Sequence, residues 1–264
     1  MKIAFIGYGN IANAIINGMF SSEKKMKVTD NIYVFHNKGQ NSIHRDKCTF
    51  LCSGDKSESS FDIIFLCVKP KDMEAAINEN ITLFSDDQIV VSVAAGITIG
   101  KIKNLVKKNS DIIRAMPNLC AIFNESITGI CFQSNMIEDK KKYVEDIFRC
   151  IGYVREIDEK EVDSFTALFG SGPAYIIYFI ESLMKCEKFT NISESDKSLL
   201  ILNMLSSTSK MMFVAEDIKY LRQMITSKGG TTEAAVKFLE EKNFSEIIEN
   251  AVGEAVIRSK ELSK

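Results

Sequence analysis

The feature that most constrains this chain is Gly7-x-Gly9-x-x-Ala12, set between a strand pattern and a helix pattern near its start. Lys2-Ile3-Ala4-Phe5-Ile6 is a near-continuous apolar run, which suits a strand buried on both faces of a parallel sheet. Gly7-Tyr8-Gly9 breaks the run. From Asn10 the spacing turns helical, with Ile11, Ala14, Ile15 and Gly18 on one face. Strand, glycine turn and helix in this order are the setting a dinucleotide fingerprint requires. Gly7 permits the tight turn, Gly9 lets backbone approach a pyrophosphate, and Ala12 keeps helix and strand close. The helix start at Asn10 and Ile11 offers unpaired N–H groups and a partial positive charge. Gly7, Gly9, Asn10, Ile11 and Ala12 are therefore expected to bind a dinucleotide, and a strand–helix turn that binds nothing is the alternative.

Strand and helix patterns alternate up to residue 157. Further strands are expected at 31–35, 62–68, 88–94, 112–116, 127–132 and 153–157. Helices are expected at 71–83, 99–108 and 138–150, and residues 36–47 read as a loop. This is a doubly wound, Rossmann-type parallel sheet with extra strands at one edge. From Asp158 only helical periodicity remains, at 159–168, 174–188, 195–215, 217–226, 232–242 and 244–262. The expected division is thus a dinucleotide-binding domain over 1–157 and an all-α domain over 158–264. Ile176-Ile177-Tyr178-Phe179-Ile180 and Leu199–Leu205 are apolar nearly all round, so these helices must be buried. A domain of this size has little room to bury them unaided, and a dimer interface is the economical explanation.

Composition narrows the partners. The net charge of -2 and pI near 5.9 give no electrostatic reason to expect nucleic acid or an anionic membrane. No apolar run reaches about 18 residues, so no membrane span is expected. The chain opens on a strand with no room for a signal peptide. The seven cysteines follow no framework pattern, which reads as a reduced, cytoplasmic protein. His44, Cys48 and Cys52 would stack on a helix, but their surroundings look strand-like and no fourth ligand is near, so no metal is expected.

Ligands of open α/β sheets bind outside the carboxyl ends of the strands. That points to Val68-Lys69-Pro70, Ala94-Ala95-Gly96 and Met116-Pro117-Asn118, small or rigid residues suited to lie against a nicotinamide ring. NAD sites place a carboxylate after the second strand. Here that position reads His36-Asn37-Lys38, and Asp30 precedes the strand at the wrong edge, so the loop suits the 2′-phosphate of NADP. Two glycine-containing loops interrupt the helical part, Phe169–Tyr175 and Thr226–Thr232. In the second, Gly229-Gly230-Thr231-Thr232 sets hydroxyls and free N–H groups at a helix start, an arrangement that either holds a carboxylate or simply caps the helix. The two histidines, His36 and His44, both lie in the first domain, which argues against a histidine-driven hydrolase or alcohol dehydrogenase.

Taken in order, these motifs resemble the pyrroline-5-carboxylate reductase family over nearly the whole chain. The segments that carry the resemblance are Phe5–Ala12, Val68–Pro70, Ser92–Thr98, Arg114–Asn118, Thr166–Tyr175 and Thr226–Thr232. The resemblance implies NADPH, with NADH as a second donor, reducing the cyclic imine of 1-pyrroline-5-carboxylate to L-proline. It implies that Ser227, Gly229, Gly230, Thr231 and Thr232 hold the substrate carboxylate, with Thr232 near the imine nitrogen as the catalytic group. It places Val68, Lys69, Pro70 and Ala95 on the nicotinamide side, and implies interleaved dimers that often assemble into decamers, with the site shared between subunits. The chain departs from the family pattern at Lys228 (usually Pro), at Leu119-Cys120 (usually Thr-Pro), and at Asn203 and Ser207 (usually Gln and Gly). Two other readings stay open. One is a 3-hydroxyacid-type dehydrogenase using Lys160 or Lys185, and the other is a non-catalytic dinucleotide-binding relative.

Overall fold

In the computed structural model, which describes residues 1–21, 31–36, 47–55, 60–186 and 192–262, the opening apolar run is β1 (Ile3–Ile6), with all its residues buried. Helix α1 (Asn10–Ser21) follows at once. The other strands are β2 (Ile32–Phe35), β3 (Thr49–Leu51), β4 (Ile63–Leu66), β5 (Ile89–Ser92), β6 (Asp111–Met116), β7 (Ser126–Phe132) and β8 (Gly152–Glu156). They form one sheet in the order β3-β2-β1-β4-β5-β6-β7-β8. β1 pairs in parallel with both β2 and β4, so the strand succession reverses there.

Alternate side chains of the central strands feed two cores, which is why these strands read as unbroken apolar runs. Ile3, Phe5, Phe65 and Ile113 pack under α1 and α4 (Glu138–Arg149), with Phe5 and Phe65 stacked at 4.7 Å. Ala4, Ile6, Leu66 and Val90 face α2 (Met73–Glu79) and α3 (Ile99–Val106). Each fully buried large side chain contributes roughly 1.5–3 kcal/mol.

The sheet is not parallel throughout. β7 runs antiparallel to β6, and β8 returns parallel to β7. Connection length is the reason. A single 3₁₀ turn, Leu119–Phe123, bridges β6 to β7, too short for the crossover a parallel neighbour needs, whereas α4 supplies that crossover before β8.

The helical remainder comprises α5 (Val162–Phe165), α6 (Gly172–Met184), α7 (Glu194–Val214), α8 (Ile218–Ile225), α9 (Thr231–Glu241) and α10 (Phe244–Leu262). The expected loop at Phe169–Tyr175 is instead a π-helical turn over Thr166–Gly170 running into α6. Pro173 sits at the second residue of α6, where a missing N–H costs nothing, and the Ser171 N–H reaches back to the Thr166 carbonyl at 2.9 Å. Packing divides the chain into one unit of Met1–Pro173 plus the chain from Glu254 onward, and a second unit of Ala174–Gly253.

Among the described residues of the second unit only Ile180 and Lys197 are buried. Phe213 is 89% exposed, and Ile176, Leu199 and Tyr220 are also open to solvent. Among the described residues one helical stretch, Glu159–Met184, is long and apolar enough by composition to cross a membrane. The expectation that no such stretch exists counted only unbroken apolar runs, and this one is broken by glycine and serine at 170–172.

Candidate active site

Register brings the expected cofactor segments to one edge of the first unit. Ile6 lies beside Phe35 and Leu66, Leu66 beside Ser92, and Ser92 beside Arg114. The chain leaving these strands is Gly7–Gly9, His36, Val68–Pro70, Ala95–Gly96 and Met116–Asn118, all at the carboxyl ends. Asn37 and Lys38 lie outside the described residues, as do Asp30 and His44.

Gly7 has φ +93, and a Cβ there would stand 2.8 Å from the Cys67 carbonyl oxygen, so the turn rests on the exit of β4. A Cβ on Gly9 would meet no atom of the described residues within 4 Å. The space before the first turn of α1 is therefore open on the side where Gly9 exposes its backbone. Ala12 is fully buried against the sheet, and the Asn13 N–H donates to the Gly9 carbonyl at 3.0 Å, making Gly9 the helix cap. Tyr8 donates its hydroxyl to Asn13 Oδ1 at 2.6 Å and packs edge-on against Phe50. An open cradle at a helix N-terminus, beside the point where the strand order reverses, fits a dinucleotide diphosphate.

Around it, the His36 N–H donates to the Leu51 carbonyl at 3.0 Å. Val68 and Pro70 are half-buried and Lys69 is exposed, with the Lys69 carbonyl accepting the Asp72 N–H at 2.9 Å. Asn118 is buried. Its Oδ1 accepts the Cys120 N–H at 3.1 Å and its Nδ2 donates to the Phe169 carbonyl at 3.0 Å, so the side chain ties the end of β6 to the π-helical turn.

One element of this edge escaped sequence reasoning. Arg114, in the middle of β6, is 3% exposed, and its Nη1 donates to Glu159 Oε1 at 3.2 Å. The same carboxylate oxygen accepts the Ile99 N–H at 2.8 Å, at the start of α3. Arg114 Nε and Nη2 have no partner among the described residues. A single arginine inside Ile112-Ile113-Arg114-Ala115-Met116 was the available signal. Cys131 lies opposite Arg114 in the β6–β7 register, and its thiol is pushed up to about 11 by burial, with the Glu159 charge adding to the rise. Burial also raises the Cys67 thiol, at the end of β4. Neither sulfur is a thiolate nucleophile near neutral pH.

The expected carboxylate loop belongs to the second unit. α9 starts at Thr231 with Gly230 as its cap, and the Gly230 N–H donates to the Ser227 carbonyl at 3.0 Å. A Cβ on Gly230 would stand 2.6 Å from Ser227 Oγ. The Gly229 N–H donates to Glu233 Oε2 at 2.7 Å, so the chain's own carboxylate already sits on one of the loop's donors. Glu233 was also missed, although its place as third residue of α9 is where a capping glutamate reaches back. The hydroxyls of Ser227 and Thr232 carry no hydrogen bond to other described residues.

Other candidates fare differently. Cys48 and Cys52 flank the strand β3 rather than sharing a helix face, and among the described residues no three metal-ligating side chains gather. Lys160 forms an exposed ion pair with Asp158 at 3.0 Å, which raises its pKa.

Comparison with known proteins adds to this geometry. A family model described as pyrroline-5-carboxylate reductase dimerisation matches residues 159–262, and one described as NADP oxidoreductase, coenzyme F420-dependent, matches residues 2–96. The chain is 31% identical to pyrroline-5-carboxylate reductase 2 of Bacillus subtilis strain 168, covering 100% of this chain and 95% of that protein. It is 32% identical to the pyrroline-5-carboxylate reductase of Staphylococcus haemolyticus strain JCSC1435, covering 100% and 98%. The crystal structure of Plasmodium falciparum pyrroline carboxylate reductase with NADP bound superposes with a TM-score of 0.87 at 27% identity, covering 100% of this chain and 98% of that one.

Proposed function

The chain belongs to the pyrroline-5-carboxylate reductase family, and from that membership we propose that it reduces 1-pyrroline-5-carboxylate to L-proline with NADPH. What carries the reading is the open cradle before Gly9 in a chain similar to these reductases from end to end. Gly7, Gly9, Asn10, Ile11 and Ala12 hold the diphosphate. His36, Asn37 and Lys38 supply a loop without a carboxylate, which suits a 2′-phosphate and favours NADPH over NADH. Val68, Lys69, Pro70, Ala95 and Asn118 line or brace the nicotinamide side.

When bound, the cofactor supplies a hydride. The protein's task is then to hold a protonated imine, already a good hydride acceptor, in line with it. Ser227, Thr231 and Thr232 bind the substrate carboxylate. Gly229 and Gly230 serve through the turn they permit, because Glu233 takes the Gly229 N–H and the Ser227 carbonyl takes the Gly230 N–H. The Thr232 hydroxyl faces the imine nitrogen, keeping the proton on that atom as the carbon accepts the hydride. The product is a secondary amine, and one proton is consumed with each hydride. The raised thiols of Cys67 and Cys131 take no part.

The protein is a homo-oligomer, in keeping with the dimerisation match over 159–262. We infer further that residues 1–157 and 158–264 act as cofactor and dimerisation domains, that the dimer assembles towards a decamer, and that the enzyme is cytoplasmic. The assay that tests the reaction follows NADPH absorbance with 1-pyrroline-5-carboxylate as sole acceptor. Substrate-dependent loss of absorbance is expected, with no NADP reduction by 3-hydroxy acids. The opposite pattern would move the protein to the hydroxyacid dehydrogenase class, and no turnover with either would leave a binding protein.

A further inference from the structure

We propose that the last turn of α10, Ser259–Leu262, is a backstop that positions the Ala95–Gly96 loop for hydride transfer, so that Ser259 and Asp163 are positioning residues of the reaction. The inference rests on the reading above, in which Ala95 lies on the nicotinamide side.

The loop after β5 is held from three directions, all within the first unit. Its far end is fixed where the Ile99 N–H donates to Glu159 Oε1 at 2.8 Å. Its apolar side chains, Ala95 and Ile99, pack on Met116, Cys131, Val162 and Phe165. Its middle is covered by α10. Gly96 is buried at φ +74, and a Cβ there would stand 2.6 Å from Leu262 Cβ and 2.8 Å from the Ser259 carbonyl oxygen. Backbone therefore lies on backbone, an approach only glycine allows. The turn that presses on Gly96 is itself anchored, because the buried Ser259 donates its hydroxyl to Asp163 Oδ1 at 2.7 Å. Asp163 stands in α5, next to Val162 of the same apolar cluster.

The consequence is mechanical. Ala95 cannot retreat from the nicotinamide side without moving Gly96 into Leu262 and Ser259. A loop fixed in this way sets the depth at which the ring rests, and hence the distance from its reactive carbon to the imine. Misplacement of about 1 Å costs roughly a hundredfold in rate, so a partial loosening predicts about a tenfold loss. Binding of the cofactor diphosphate, on the turn after β1, is untouched.

The test compares Ser259→Ala, Asp163→Ala, the two combined, and Asp163→Asn, which keeps an oxygen that accepts the serine hydroxyl. Four quantities are read: kcat for 1-pyrroline-5-carboxylate, the isotope effect on kcat with C4-deuterated NADPH, NADPH affinity by fluorescence titration, and Tm. Ser259→Ala and Asp163→Ala should each lower kcat about tenfold, raise the isotope effect, and leave NADPH affinity within about twofold. The double variant should be no worse than either single one, because both remove the same bond. Asp163→Asn should restore kcat. Variants that lose Tm but keep kcat and isotope effect would overturn the proposal, as would an Asp163→Asn that fails like Asp163→Ala while folded. A wild type without turnover would instead remove the functional reading, and the proposal with it.

Discussion

A Cβ at position 9 would meet no atom of the described residues within 4 Å, so packing among them gives no reason for a glycine there, and its bareness points to something outside the chain. Gly9→Val is expected to abolish NADPH binding in fluorescence titration while the circular dichroism spectrum and Tm stay close to wild type. Normal binding by this variant would remove the turn from the cofactor site. Thr232→Ala removes one hydroxyl. A hydrogen bond to a charged group is worth about 1.5–3 kcal/mol, so kcat/KM for pyrroline-5-carboxylate should fall roughly ten- to a hundredfold, with NADPH affinity unchanged. A change within about twofold would remove the Thr232 hydroxyl from the active site. The glycine turn was legible because its requirement is local, a residue type at a fixed spacing after a strand. Arg114 and Glu159 were not, because their contact joins residues 45 positions apart and no periodicity announces it. Glu233 was legible in principle, because the third residue of a helix is where a capping glutamate reaches back.

The strands and helices themselves followed from pattern. Apolar runs gave the buried strands, and 3.6-residue spacing gave the helices after residue 158. Two things depended on what lay between elements. The direction of β7 is decided by a short 3₁₀ connection, and the π-helical turn by Pro173 at a helix start, neither of which periodicity reports. The bridge from β6 through Glu159 to α3 gives an asymmetric prediction. Glu159→Ala leaves the Arg114 guanidinium buried without its partner, whereas Arg114→Met leaves a carboxylate that is 39% exposed and can turn to water. Urea unfolding should show Glu159→Ala losing about 1–3 kcal/mol and Arg114→Met losing less. The reverse order would contradict the bridge. Beside it, the buried Cys131 thiol titrates at about 11, above its ordinary 9.0. A raised acid favours the folded state while protonated, so this contribution is complete below pH 9 and is lost as pH rises from about 9 to 11. Cys131→Ala should flatten the fall in stability over that window.

The molecule as a whole carries more apolar surface than one copy can hide. The second unit, with two buried residues among those described and Phe213 at 89% exposure, cannot stand alone in water. Light scattering at micromolar concentration should therefore find nothing smaller than a dimer, and an active monomer would contradict this. The need for a partner was readable from helices apolar on every side, whereas how copies would pair is written in surfaces that no single chain displays. The central claim is that a hydride passes directly from the cofactor to the imine carbon of pyrroline-5-carboxylate. NADPH carrying deuterium at both C4 positions tests it, with the product analysed by mass spectrometry and NMR. The account predicts L-proline with one deuterium, on the ring carbon next to nitrogen that does not bear the carboxylate. Unlabelled proline, or no proline at all, would contradict it.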